Sequence, residues 1–320
     1  MTTTNGADQR SMKAWRVHKF GPPETMAFET IARPTPAAGE VLVKVHAAGV
    51  GPWDAWIRAG KSVLPQPLPL TPGSDLSGEV IARGPGVCDF AVGDRVFGVT
   101  NAQFLGAYAE YAVASAAMVA QKPRSLSHVE AATVPVIAVT AWQALFDYAC
   151  LQADQTVVIH GAAGNVGAFA IQFARRARIR SVVTAGSKDI DYVRGLGADK
   201  VVDYQKQRFE DEASGADAVL DLVGGDTQTR SIRILRPGGK LISTVSEPDQ
   251  DLARQYGISA SFFLVEVTTD RLRKIATLID AGEIRTRIGA VLDLSDARKA
   301  HAMLNDRQGR PPGKIVLSVI

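Results

Sequence analysis

The stretch VVIHGAAGNVGAFAIQFARRA, residues 157–177, decides the fold. Its first three residues, Val157, Val158 and Ile159, read as a buried parallel strand; a glycine turn follows and opens an amphipathic helix. Along that helix apolar residues recur at Val166, Phe169, Ala170, Phe173, Ala174 and Ala177, the spacing of a single helical face. Strand, turn and helix in that order build a site for the phosphates of a dinucleotide. The fingerprint G-x-G-x-x-G/A appears as Ala162-Ala163-Gly164-Asn165-Val166-Gly167, with Ala162 in the first glycine's place. Gly161 stands one residue earlier, where it would relax the turn instead. Gly164 has no Cβ to hold off a pyrophosphate, Gly167 lets helix and strand pack closely, and free N–H groups at the helix start attract an anion. The alternative reading is an ordinary tight turn between strand and helix.

A cofactor with a free ribose 2′-hydroxyl usually meets an Asp or Glu about 20 residues past the fingerprint. At the end of the second strand, 181–185, this chain has Gly186-Ser187-Lys188 instead. The nearest acids, Asp189 and Asp191, fall in the first turn of the next helix, where negative charge is favoured. A hydroxyl and an ammonium suit a 2′-phosphate. At about 1.5–3 kcal/mol for each charge-assisted hydrogen bond, two would favour the phosphorylated cofactor by about two to four orders of magnitude. The sequence therefore predicts NADPH (NADP) over NADH, the alternative being that Lys188 is a solvated surface lysine.

Composition agrees with a two-domain enzyme. At 320 residues, 46% hydrophobic and 22% charged, the chain exceeds the size at which one core stops growing. Lys and Arg number 36 against 33 Asp and Glu, a formal +3 too small and too dispersed for a nucleic-acid footprint. The densest basic run, Arg175, Arg176, Arg178 and Arg180, closes the fingerprint helix, where cations complement the helix dipole. No apolar run approaches membrane-spanning length, residues 1–11 read as a disordered polar tail, and the only cysteines, Cys88 and Cys150, suit a reducing compartment. The expectation is a cytoplasmic protein with no membrane and no nucleic-acid partner.

The texture of the chain changes twice. Short β-like runs at 13–18, 41–48, 76–82, 95–99 and 108–113, separated by Gly and Pro turns, predict a barrel-like β domain. A helical stretch, TVPVIAVTAWQALFDYA, then leads into strands at 157–159, 181–185, 200–203, 218–222, 240–244 and 259–265 alternating with helices, enough for a doubly wound sheet. A helix at 269–281, a strand at 290–292, a helix at 296–304 and a strand at 314–319 would return to the first domain. The predicted division is 12–128 catalytic domain, 129–265 nucleotide-binding domain and 266–320 return.

These segments carry a resemblance. Ala47-Ala48-Gly49-Val50 with Trp53-Asp54, Pro72-Gly73-Ser74-Asp75-Leu76-Ser77-Gly78, Gly93-Asp94-Arg95-Val96, Thr140-Ala141-Trp142-Gln143-Ala144-Leu145, the fingerprint, Leu196-Gly197-Ala198-Asp199, Arg236-Pro237-Gly238-Gly239 and Gly313-Lys314-Ile315-Val316 occur in order from about 13 to 319. As an ordered set the chain resembles the zinc-independent quinone oxidoreductase branch of the medium-chain dehydrogenase/reductase superfamily. The resemblance implies an α/β architecture, a GroES-like β-rich catalytic domain plus a Rossmann doubly wound parallel sheet, and a cleft for NADPH and substrate. It adds Tyr204 to Ser187 and Lys188 as a contact of the 2′-phosphate. It places Thr140 and Val223 near the nicotinamide and its ribose, and the backbone of Phe263 and Val265 at the carboxamide.

Zinc-containing relatives need four cysteines in one lobe for a structural ion, and this chain has two. Their catalytic zinc takes a Cys and a His where Gly51 and Ser74 stand. His18, His46, His128, His160 and His301 show no ligand spacing and read as structural or surface residues. Without a Lewis acid, an acceptor that is already electron-poor suits the chemistry best, with alignment and exclusion of water supplying the acceleration. No catalytic residue is assigned. Trp53, Trp56, Ser74 and Asp75 are the substrate-pocket candidates, flat indoles matching a planar acceptor; the alternative makes the tryptophans core packing and Asp75 an internal ion pair. Asp54 and Arg58, four apart, are expected to pair. Many relatives carry Asn at the position of Gly51. The apolar, β-prone run ISASFFLVEV predicts a homodimer through the last Rossmann strand. The first functional reading is an NADPH-dependent quinone reductase; an enone or enoyl-thioester reductase, and a nucleotide-binding protein with a structural or RNA-binding role, are the alternatives.

Overall fold

Ser11, the last residue assigned to the polar tail, is already in a strand, paired with Ala32. The computed structural model describes residues 11–305 and 311–319, so the rest of that tail lies outside the described residues. β1 (Ser11–Val17) and β2 (Met26–Ala32) form an antiparallel hairpin. β3 (Glu40–Val50) is the long central strand of a second sheet that also holds β4 (Asp75–Arg83), β5 (Arg95–Val99), β6 (Tyr111–Ser115) and β7 (Val119–Gln121). The hairpin is tied down by main-chain bonds from Trp15 to Tyr108 (2.9 Å) and from Val17 to Leu70 (2.8 Å). Val41, Val43 and Val45 share an inward face that joins Leu76, Val96 and Tyr108 in one core, while Leu42 is buried on the other side and Lys44 and His46 are partly exposed.

The second body is a parallel sheet. β8 (Thr156–Ile159) is flanked by β9 (Arg180–Ala185) and β11 (Ala216–Asp221); β10 (Lys200–Asp203) lies outside β9, and β12 (Leu235–Ser243) then β13 (Ser259–Phe262) outside β11. This is the doubly wound order, and its direction reverses between β8 and β11. The quoted helix runs Asn165–Arg176 and buries Phe169, Ala170, Phe173 and Ala174 of the face read from the sequence; Val166 and Ala177 of that face are only partly buried, and Gly167, Ala168, Ile171 and Gln172 are buried beside it. Short valine- and isoleucine-rich strands such as Thr156–Ile159 are buried on both faces because helices cover both.

The chain then returns. A helix at Thr269–Asp280 precedes β14 (Ile288–Asp293), and β15 (Lys314–Ser318) pairs parallel with β14 and antiparallel with β3, Val316 opposite Gly49. Compact unit 1 comprises the chain through Val136, Val267–Asp280 and the segment from Thr286; unit 2 comprises Ile137–Glu266 and Ala281–Arg285. The first crossing falls later than the 128/129 boundary because the helix His128–Ala131 packs on β3 and β4 and the Val136 N–H donates to the Asp75 carboxylate at 3.0 Å. The long helix read at 133–149 is α-helical over Pro135–Trp142 and then widens into a π-helix, Gln143–Tyr148. β13 stops at Phe262, three residues short of its predicted end. Among the described residues no helix is long and apolar enough to cross a membrane.

Candidate functional site

In unit 2 the glycine turn leaves a bare helix start. Gly161 turns the chain with φ +71°, and Gly164 precedes the helix in an extended conformation with no side chain capping the first N–H groups. A Cβ on Gly164 would meet only the Gly161 carbonyl, at 3.1 Å, whereas a Cβ on Gly167 would lie 2.6 Å from the Ala162 Cα and the Gly161 carbonyl. Gly167 thus sets the helix against the turn, and Gly164 is exposed where an anion would approach. Ala162 is fully buried, and Ala163, Asn165 and Val166 are partly exposed around the opening. His160, just before the turn, accepts from Thr184 at Nδ1 (3.1 Å) and donates from Nε2 to Ser231 (2.9 Å), which itself donates to the Thr227 carbonyl. Burial lowers its pKa to about 4, so it is neutral and serves the packing.

The ends of β9 and β10 bring Gly186 and Ser187 beside Asp203 and Tyr204, since Ala185 and Asp203 stand side by side in register, and Lys188 follows next in the chain. Tyr204 is 62% exposed, and its hydroxyl lies 3.3 Å from where a Cβ on Gly186 would be. Lys188 is exposed and makes no ion pair among the described residues. Sequence reasoning missed Asp203. Its buried carboxylate accepts from the Ser187 hydroxyl at 2.5 Å and from the Gln205 N–H at 3.1 Å, with Lys206 at 3.5 Å. Those contacts, the Ser187 bond foremost, hold it below the usual carboxylate range. The acid absent from the end of the second strand is therefore supplied from the third, and the single Ser187 proton is engaged by it.

At the switch between β8 and β11, Asp221 shapes the next loop. Its carboxylate accepts from the N–H groups of Val223 (3.0 Å) and Gly224 (2.8 Å) on one side and from Gln228 (2.9 Å) and Ser243 (3.1 Å) on the other. Val223 is presented at the surface as a result. Thr140 is buried on the helix Pro135–Trp142. Phe263 is buried and stacks on Tyr148 at 4.3 Å, while Val265 is partly exposed beyond the end of β13.

In unit 1 the pocket candidates divide. The Trp53 indole N–H donates to the fully buried Ser74 hydroxyl at 3.1 Å, and the Lys314 ammonium lies 4.1 Å from the centre of its ring. Lys314 also pairs with Asp75 at 2.9 Å, both buried, so Asp75 is an internal ion pair. Gly49 on β3 makes that pair possible: a Cβ there would lie 2.9 Å from the Asp75 Cβ and 3.1 Å from the Lys314 side chain. Trp56 is not brought to this group; it is 53% exposed. Gly51 has its own reason, since a Cβ would meet the Trp53 ring at 2.3 Å. The indole fills the space beside Gly51.

The expected Asp54–Arg58 pair does not form. Asp54 accepts at one oxygen from the Gly51 N–H (2.8 Å) and from the Tyr108 hydroxyl (3.0 Å), and its other oxygen has no partner. Arg58 turns to the Gly21 carbonyl (3.0 Å) and to His301 Nδ1 (2.9 Å). Tyr108 fills the space toward Asp54, and no spacing in the sequence signals it. Burial raises Asp54 to about 7 and lowers His301 to about 3. His46 and His128 stack at 4.3 Å with His128 on Ser77, and His18 pairs with Glu29 at the surface.

Residues 37–124 match the sequence model of the alcohol dehydrogenase GroES-like domain, and residues 196–317 that of a family described as zinc-binding dehydrogenase. The quinone oxidoreductase of Sus scrofa is 33% identical over 97% of this chain and 98% of its own length; that of Homo sapiens is 32% identical over the same shares. Among solved structures, the quinone oxidoreductase from Coxiella burnetii superposes with a TM-score of 0.90 at 32% identity, covering 97% of this chain and 100% of that one. A mycobacterial protein, Rv1454c, solved in complex with NADPH, gives 0.85 at 28% identity over 96% and 100%. Identity at this level along nearly the whole chain, on the fold described above, makes this protein an oxidoreductase of the quinone oxidoreductase branch of the medium-chain dehydrogenase/reductase superfamily.

Proposed function

We propose that this chain binds NADPH in unit 2 and reduces a quinone-type, electron-poor acceptor without a metal ion. The observation that carries the reading is the uncapped helix start behind Gly164, open to an anion, with Lys188 and Tyr204 at the neighbouring strand ends. These residues fit the cofactor: the Gly164 turn would hold the pyrophosphate, Lys188 and Tyr204 the 2′-phosphate, and the loop built by Asp221 would flank the nicotinamide through Val223. Bound there, a dihydronicotinamide supplies a hydride from its C4. The chain's own part is to orient and to exclude water. Thr140 would stand on the ribose side, and the backbone at Phe263 and Val265 would hold the carboxamide and so orient the ring.

The donors do not fit a catalytic zinc. Gly51 has no ligating atom, the Ser74 hydroxyl holds the Trp53 indole, and Asp75 is paired with a buried ammonium. No step is routed through a metal. Trp53 is the aromatic wall proposed for a planar acceptor. The relatives named quinone oxidoreductases support that choice of acceptor, and the solved relative with NADPH supports the cofactor. The protein is further proposed as a homodimer joined along β13, the outer strand of its sheet.

The test follows NADPH absorbance with a quinone, an enone, an enoyl thioester and an aliphatic aldehyde, each with and without a chelator. Consumption with the quinone, unchanged by the chelator, is the expected result. Consumption with the enone alone would move the substrate to a conjugated double bond, loss of turnover on chelation would remove the metal-free reading, and no consumption with any acceptor would leave a nucleotide-binding protein of another role.

A further inference from the structure

Gln143 is a polar residue in an apolar helix. It is 3% exposed, and Val139, Ala141, Ala144 and Leu145 around it are buried hydrophobics. A buried amide persists in such surroundings only with a partner, because an unsatisfied one has given up its hydration with nothing in exchange. The partner is a backbone group far along the chain: the Glu266 N–H donates to Gln143 Oε1 at 2.9 Å. Gln143 is also the first residue of the π-helix Gln143–Tyr148, whose widened turn is closed by the Ala149 N–H on the Ala144 carbonyl at 3.0 Å. Such widened turns are rare inside α-helices and occur frequently at functional sites.

Both ends of the π-helix grip one segment. Tyr148, its last residue, stacks on Phe263 at 4.3 Å, and Gln143, its first, holds Glu266. The Phe263 N–H still bonds to the Ser243 carbonyl at 3.2 Å, so Leu264 and Val265 lie between two anchored residues although β13 has ended at Phe262. A segment without strand pairing is held in one conformation from beneath.

We infer that Gln143 is a positioning residue for nicotinamide binding: through Glu266 it fixes the backbone at Phe263–Val265 that receives the carboxamide. This rests on the NADPH reading and adds to it a determinant that touches no part of the cofactor. It acts on one end of the dinucleotide only, since the pyrophosphate turn and the Lys188 corner lie on other strands.

Gln143→Met removes the acceptor at nearly constant volume, and Gln143→Glu retains an acceptor oxygen. Binding of NADPH and of 2′,5′-adenosine bisphosphate, which lacks the nicotinamide, is measured by calorimetry on wild type and both variants. In Q143M the dissociation constant for NADPH should rise about tenfold, the loss of one hydrogen bond's worth of order. That for the bisphosphate should stay within about twofold, and Q143E should recover most of the NADPH affinity. Equal weakening of both ligands in Q143M, or no weakening of either, overturns the inference while leaving the cofactor reading intact. A wild type that binds neither ligand overturns the cofactor reading and the inference with it.

Discussion

In the proposed NADPH reading, Lys188 would carry the choice between the two nicotinamide cofactors nearly alone. A Ser187 hydroxyl that already donates to Asp203 at 2.5 Å cannot give the same proton to a phosphate, so one charge-assisted bond from Lys188 remains, with Tyr204 beside it. One such bond is worth about 1.5–3 kcal/mol, or about one to two orders of magnitude in preference, below what two free donors would give. Lys188→Ala should therefore raise the Michaelis constant for NADPH at least about tenfold and leave that for NADH nearly alone, as initial-rate kinetics with both cofactors would measure. Equal changes for both would mean that Lys188 is a solvated surface residue. The same logic of one residue answering another links Gly51 to Trp53. A side chain at 51 would displace the indole, so Gly51 cannot be exchanged while Trp53 keeps its place.

Among the elements, β13 is one of the two edges of the parallel sheet, β10 being the other. It pairs only with β12 among the described strands, and Leu264, just past it, is 50% exposed. An unpaired strand with apolar neighbours is a template for a second copy. The wild type should sediment as two chains at micromolar concentration, and Ser261→Lys, which places charge on that strand, should shift it to one; a single-chain mass for the wild type removes the dimer. The sequence showed most strands through alternation or apolar runs, and failed where neither was present. β2 has alternating burial, but Ala27, Glu29 and Thr30 dilute its apolar pattern, and β7 is only three residues long. β12 begins five residues early, running through Pro237-Gly238-Gly239, because its pairing with β11 tolerates a register shift that turn residues conceal. The π-helix was invisible for a different reason: nothing in its sequence departs from good α-helix, and the contact of its first residue, with Glu266, lies far along the chain.

For the molecule as a whole, the doubly wound sheet around β8 and the return of the last strand to the first domain were legible because local signals, glycine turns and apolar strands, agree with the tertiary arrangement, whereas the pairing of β15 with β3 was not read from the sequence. The buried polar contacts were not, since Lys314 meets Asp75 and Tyr108 meets Asp54 across long stretches of chain. Those contacts govern how folding responds to pH. Asp54 is raised from 3.8 to about 7, first by burial, against the pull of the Gly51 N–H, Lys314 and Tyr108 and with Asp75 adding to the rise. In the unfolded chain the carboxyl ionises near 3.8, whereas the folded protein retains the proton until about 7. The native state binds the extra proton across that window, so this group's contribution to stability is complete below it, falls as pH rises through it and is gone above it. At about 1.4 kcal/mol per pH unit, fading as the folded-state value is reached, the loss between pH 5 and pH 7.5 is about 2.5 kcal/mol. Asp54→Asn keeps an oxygen for Gly51 and Tyr108 and cannot ionise. Urea unfolding of the variant should therefore gain on wild type by about that amount over the same interval. A difference between the two proteins that stays constant with pH would show that Asp54 titrates alike in both states, which its full burial and unpartnered second oxygen argue against.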